Sequence, residues 1–112
     1  MKRDNQRPPT YTKKDIVKKV ALARNDNVHS AAKWVDQVFA AIREIMMSAD
    51  PQLRIEVRGF GVFEVKPTKS KPKARNPKSG EIIYVPSRRK THFKPSKLLK
   101  KFLSQPLDRA EG

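Results

Sequence analysis

Between Lys66 and Lys101 the chain carries thirteen basic side chains and a single acid, Glu81. Ammonium and guanidinium groups make no covalent chemistry at neutral pH. They hold anions, above all closely spaced anions such as the phosphates of a polymer. Lys66, Lys69, Lys71 and Lys73 lead up to Arg75-Asn76-Pro77-Lys78, and Arg88, Arg89 and Lys90 follow it. Arg58, just before this segment, and Lys94 and Lys97, late in it, are further candidates for anion contact. The segment supplies +12 of the formal +15 of a 112-residue chain. A run of charge is commonly a solvated face, but solubility asks only for modest, mixed charge. A thirteen-to-one imbalance therefore points to a polyanionic partner.

Other chemistries lack their residues. His29 and His92 fall in different predicted elements, neither with an acid or metal ligand at diagnostic spacing. There is no glycine-rich phosphate loop and no HExxH. The basic segment offers one acid where a metal-dependent nuclease needs a cluster. No enzyme, metal, cofactor or small-molecule substrate is expected. The absence of cysteine rules out disulfides and thiolate-held zinc or iron–sulfur groups and suits a reducing compartment. Phe39-Ala40-Ala41-Ile42 is cut short by Arg43 and Glu44, and Met1-Lys2-Arg3 runs into polar residues and Pro8-Pro9. Neither a membrane span nor a signal core is expected, so the reading is of a soluble cytoplasmic protein.

The elements that must position the basic groups can be read from periodicity. Thr12 and Asp15 form a capping-box-like opening, after which Ile16, Val17, Val20 and Ala23 share a helical face as far as Asn25 to Asn27. Ser30 is positioned to cap a second helix carrying Val35, Val38, Phe39, Ile42, Ile45 and Met46, stopped by Asp50-Pro51. The pair makes a helical hairpin. Its loop lacks the tight turn of a DNA-reading helix-turn-helix, and the basic residues lie elsewhere.

Leu53, Ile55 and Val57 alternate with charged residues, Gly59-Phe60-Gly61 turns the chain, and Val62, Phe63 and Val65 resume a strand. From residue 66 to 76 no side chain is apolar and large, and Asn76-Pro77-Lys78-Ser79-Gly80 is turn-forming before Glu81 to Val85 extend again. A protruding two-stranded ribbon fits, with limbs of about ten residues reaching roughly 30 Å. Pro67 and Pro72 suit a ribbon edge, and isolated hairpins are marginally stable, so the ribbon is expected to order on a polyanion. Phe93 returns the chain, and Pro95, Leu98, Leu99, Phe102 and Leu103 make a short final helix. The fold class is α+β: a helical hairpin, a three-stranded antiparallel sheet with a protruding ribbon arm at about 66–90, and a C-terminal helix. Residues 1–10 read as a flexible basic extension, 11–103 as the folded domain and 104–112 as a flexible tail.

Without the tails and the ribbon about 70 residues remain, near the lower limit for a self-sufficient core. They nevertheless carry Trp34 and five phenylalanines. A two-fold dimer pooling Phe39, Phe60, Phe63 and Phe93 is preferred to a monomer, since obligate interfaces resemble a divided core. Trp34, beside Val35 and Val38, reads as a core or core-edge residue before a base-stacking platform.

Gly59-Phe60-Gly61-Val62-Phe63-Glu64-Val65, Ala74-Arg75-Asn76-Pro77-Lys78-Ser79-Gly80 and Phe93-Lys94-Pro95-Ser96-Lys97 resemble the core turn, arm tip and final-helix entry of the bacterial HU and integration host factor proteins. The resemblance covers about Thr12 to Leu103. It implies an intertwined homodimer, or heterodimer with a related chain, whose arms enter the minor groove of double-stranded DNA. It also implies a proline wedge at each arm tip, which matches Pro77 and is a property of that family. Arg75 and Asn76 would then meet base edges or sugars, and the limb lysines phosphate. Nucleoid association and DNA compaction or nucleoprotein assembly follow from the same resemblance. Ala74 stands where glycine is commoner and Ser79 where threonine is, and Thr68 and Lys71 also depart from the pattern. The stretch Phe63 to Pro77 is one residue longer than usual, which implies a bulge. Arg88-Arg89 resembles integration host factor, the sequence-selective branch; selectivity itself rests largely on DNA deformability.

The rival class is a small basic RNA-binding or ribosomal protein, which would show exposed aromatics for unpaired bases; the ribbon has only Tyr84. Membrane-surface binding would need a basic amphipathic helix, whereas the basic part here is extended. Helix starts near Thr12 and Ser96 are open to two readings, phosphate sites or simple caps, with Lys94 and Lys97 favouring phosphate at the second.

Overall fold

The computed structural model describes residues 7–108 and, within β3, the backbone but not the side chains of residues 71–74. The elements are α1 (Lys13–Arg24), α2 (Val28–Met47), β1 (Leu53–Val57), β2 (Gly61–Pro67), β3 (Lys71–Arg75), β4 (Ile82–Val85), β5 (Arg89–Pro95) and α3 (Lys97–Leu103). This is the expected α+β order. Most of the expected N-terminal extension and the last four residues of the expected tail lie outside the described residues. The chain divides into two compact units, Met1–Ile45 and Met46–Gly112.

In the first unit, the Thr12 backbone N–H donates to Asp15 Oδ2 at 2.8 Å and the Thr12 hydroxyl donates to the same oxygen at 3.1 Å. Those bonds, the backbone one first, hold the Asp15 carboxyl below its usual range. The Asp15 carboxylate thus places a negative group of the chain's own at the start of α1, where it forms a capping box with Thr12. The helix closes on Asn25, in the left-handed conformation at φ 54°, which asparagine tolerates better than most residues.

The connection to α2 is tighter than the sequence implied, three residues long. Asn27, not Ser30, caps α2: its side-chain oxygen accepts the Ser30 N–H at 2.7 Å. Ser30 lies already inside the first turn.

Val17 and Ala21 of α1 pack with Ala31 and Val35 of α2, with Val20 and Ala32 alongside. Ala21 therefore takes the place expected of Ala23, and Ile16 is 40% exposed. The buried stripe follows residues 17, 20 and 21, whereas residue 23 lies about a third of a turn away at 100° per residue. Lys13 pairs with Asp36 across the two helices at 2.7 Å. Trp34 is 64% exposed and so is not a core residue of the single chain. With Val38 and Ile45, also exposed, it lines a second stripe at i, i+4, i+11, distinct from the stripe facing α1.

In the second unit, β1, β2 and β5 form an antiparallel sheet in that order. Leu53, Ile55 and Val57 share a face with Phe63, Val65 and Phe93, as the alternation predicts. Phe60, Phe63 and Phe93 meet there with ring centroids 5.0–6.0 Å apart. Gly61 is required by space: a Cβ would overlap the Lys94 carbonyl and meet the Phe93 ring at 2.7 Å. Ser96 joins α3 to the turn before β2. Its N–H donates to the Phe60 carbonyl at 2.9 Å, its hydroxyl donates to the Gly59 carbonyl at 3.1 Å, and the hydroxyl oxygen accepts the Leu99 N–H at 3.2 Å.

The ribbon is a separate two-stranded sheet of β3 and β4. Lys71 faces Val85 while Ala74 faces Ile83, so three steps on β3 span two on β4. This is the expected bulge, and it contains Pro72, which has no N–H to lend to a ladder.

Candidate nucleic-acid interface

The β2–β5 ladder runs out to Pro67 opposite Arg89. One further pair follows: the Thr68 N–H donates to the Arg88 carbonyl at 2.6 Å, and the Arg88 N–H donates to the Thr68 hydroxyl at 2.7 Å. The β3–β4 ladder begins at Lys71 opposite Val85. The arm is therefore built in two segments joined at residues 68–70 and 86–88, with Pro67 and Pro86 bordering the joint.

The tip is closed by its own polar groups. The Asn76 N–H donates to the Glu81 carbonyl at 2.6 Å, and the Gly80 N–H donates to the Asn76 carbonyl at 2.7 Å. The Asn76 side-chain oxygen accepts the Lys78 N–H at 2.9 Å, an Asx turn, and the Ser79 hydroxyl accepts the Glu81 N–H at 3.2 Å. Arg75 Nη1 donates to the Gly80 carbonyl at 2.9 Å. Gly80 itself sits at φ 76°, where a side chain would be strained. These contacts leave Pro77 exposed at the apex. Arg75 and Asn76, expected at base edges, spend at least part of their hydrogen-bonding capacity on shaping the loop that presents it.

Lys69, Lys78, Arg88 and Lys90 are exposed along the arm and its root; the side chains of Lys71 and Lys73 lie outside those described. Arg89 has a different place. Its Nη1 donates to the carbonyl of Ala49, forty residues earlier, at 2.9 Å.

Sequence reasoning missed Glu64. Its side chain is 6% exposed, with Lys66 Nζ at 3.3 Å, Lys94 Nζ at 3.5 Å and Arg54 Nε at 3.8 Å. Burial would raise its carboxyl, but the hydrogen bonds and charges of Lys66 and Lys94 hold it below the usual range. It faces the side of the sheet opposite the phenylalanines, in register with Arg54 and His92 and near Lys66, Lys90 and Lys94. The signal was an acid set between Phe63 and Val65, in a strand that is otherwise apolar as far as Lys66. On the same unit Arg58 and Lys94 line one open cleft with Ser96, and Lys97 follows as the first residue of α3. Two of the three residues expected to contact an anion on the body thus line one cleft at the Val57–Gly61–Pro95 end of the sheet, and the third comes next in sequence after Ser96. The hydroxyl of Ser96 is a helix cap as well.

Comparison with known proteins now gives this arrangement its class. A family model described as bacterial DNA-binding protein matches residues 11–104. DNA-binding protein HU 1 of Bacillus subtilis is 39% identical over 88 residues, covering 79% of this chain and 91% of that protein. Integration host factor subunit alpha of Anaeromyxobacter dehalogenans is 36% identical over 102 residues, covering 90% of this chain and 87% of that protein. An Anabaena HU–DNA cocrystal structure superposes with a TM-score of 0.70 at 27% identity, covering 86% of this chain and all of that one. The chain belongs to the HU and integration host factor family of bacterial DNA-binding proteins.

Proposed function

We propose that the chain is an architectural protein that binds and bends double-stranded DNA. One observation carries the reading: an exposed proline stands at the apex of a hydrogen-bonded tip, at the end of a ribbon bordered by basic side chains. Proline suits a wedge between base pairs because it is stiff, apolar and has no N–H to strip of water. The wedge is a family property, carried to this chain by Pro77. Lys66, Lys69, Lys71, Lys73, Lys78, Arg88 and Lys90 on the arm, with Arg58, Lys94 and Lys97 on the body, are assigned to phosphate. The RNA-binding alternative finds no support among the relatives, which are named as HU and integration host factor proteins.

A second copy of this chain, or a related chain, belongs to the reading. Among the described residues no large side chain is fully buried, while Trp34, Val38, Phe39, Ile45, Leu98, Phe102 and Leu103 are 41–73% exposed. So much apolar surface on so small a chain is supplied with a cover by an intertwined dimer. Sedimentation equilibrium is expected to give twice the 12.9 kDa chain mass. Among the described residues no helix is long and apolar enough to cross a membrane, and the proposed workplace is the nucleoid.

The test is Pro77→Ala in an energy-transfer bending assay on short duplexes. The bend should fall by more than the affinity does, and an unaltered bend would remove the wedge. Random, A-tract and nicked duplexes compared side by side then separate a preference for deformable DNA from a preference for sequence.

A further inference from the structure

We infer that Arg89 is a positioning residue which fixes the root of the arm, and not a phosphate contact; the inference rests on the DNA-bending reading above. The arm leaves the sheet at a weak point. Pro67, opposite Arg89 on the last rung, has no N–H to donate, and beyond the Thr68–Arg88 pair the ladder lapses until Lys71 meets Val85. Backbone pairing alone therefore leaves the first residues of the arm thinly held. The Arg89 side chain adds a tie in another direction, reaching from β5 to the Ala49 carbonyl in the loop between α2 and β1 at 2.9 Å.

The receiving end is buried. Ala49 is 2% exposed, so its carbonyl has poor access to water, and the guanidinium supplies it with a hydrogen-bond donor. Asp50, Pro51, Pro67, Ser87, Arg88 and Arg89 line an open cleft beside the tie, so the loop and the arm root meet there. A planar guanidinium can bridge this way while keeping other N–H groups outward, which a lysine ammonium does less well. The neighbouring Arg88 is engaged through its backbone, and its exposed side chain is left for DNA. The adjacent arginines thus divide the work: Arg88 to phosphate, Arg89 to the angle at which the arm departs.

The experiment uses the full chain with R89K, R89Q and R88Q. Amide hydrogen exchange of residues 48–53 and 86–90 is read without DNA, and the salt dependence of affinity and the spread of bend angles are read with it. R89K, which keeps the charge but loses the fork, should speed exchange several-fold in both segments and broaden the bend distribution. R89Q should do the same, and neither should change the log–log salt slope. R88Q should leave exchange as in the parent and lower the slope by about 0.9 for each phosphate that residue 88 no longer neutralises. The inference is overturned if R89K exchanges and bends like the parent, or if R89Q lowers the slope as R88Q does. Failure of the parent protein to bind or bend DNA would sink the DNA reading instead, and the exchange arm would still decide whether Arg89 holds the root.

Discussion

The three-stranded sheet and the two-stranded ribbon are both antiparallel, yet they are held by different means. Behind the sheet stand Phe60, Phe63 and Phe93, and Glu64 gathers cations on its other side. Behind the ribbon stands nothing comparable among the described residues: Ile82 and Tyr84 are each 62% exposed. Its order comes from a turn stitched by Asn76, Ser79 and Arg75, a bulge, and a joint bordered by prolines. Shape in the sheet is a consequence of packing, whereas shape in the ribbon is a consequence of local hydrogen bonds. A ribbon with no core behind it has to draw its shape from its own backbone and turn.

The comparison breaks most directly at the arm lysines. Replacing Lys69, Lys71 and Lys73 together by alanine should leave the thermal unfolding of the protein nearly unchanged, because the β3–β4 ribbon is a sheet separate from the three-stranded one. The DNA salt slope should drop by about 0.9 per phosphate contact, or about 2.7 per chain if all three engage. Titrations at several salt concentrations measure it, and an unaltered slope would take these lysines out of the interface.

Glycine substitutions sharpen the same contrast. Gly61→Ala forces a methyl into the Lys94 carbonyl and the Phe93 ring and should cost about 1–3 kcal/mol of global stability in denaturant unfolding. Gly80→Ala meets nothing nearer than Arg75 Nη1 at 3.9 Å. Its cost is conformational, about 1–2 kcal/mol, and should fall on tip geometry and DNA bending while the global midpoint stays put. Equal losses of global stability at the two sites would mean that the ribbon is tied into the core after all.

Much of this organisation was legible because it is local. Alternation at Leu53, Ile55 and Val57 identifies a one-sided strand, Asn76-Pro77-Lys78-Ser79-Gly80 identifies a turn, and Thr12 with Asp15 identifies a helix start. The misses have physical causes too. Asn27 and Ser30 are both good caps one helical turn apart, and only backbone geometry chooses between them. Trp34 lies where two apolar stripes on α2 overlap in sequence but diverge in space. The Arg89 tie spans forty residues, and the Glu64 cluster depends on the register of three strands. Periodicity carries no information about such distant partners.

Glu64 offers the smallest effect and the finest test, because it is where the sheet deals with the charge that the ribbon exposes. Its folded-state carboxyl is depressed, so its contribution is complete above the unfolded value of 4.5 and is lost as pH falls through the depressed folded value. Asp15, also depressed from 3.8, adds an acid-labile contribution in the first unit. Glu64→Gln should lower stability at neutral pH, since an amide cannot neutralise Lys66, Lys94 and Arg54. It should also flatten the decline between about pH 5 and pH 3, leaving the part due to Asp15. Denaturant midpoints measured across that range distinguish the two. A variant that declines as steeply as the parent would mean that the cations around Glu64 are held by the sheet itself and not by its buried charge.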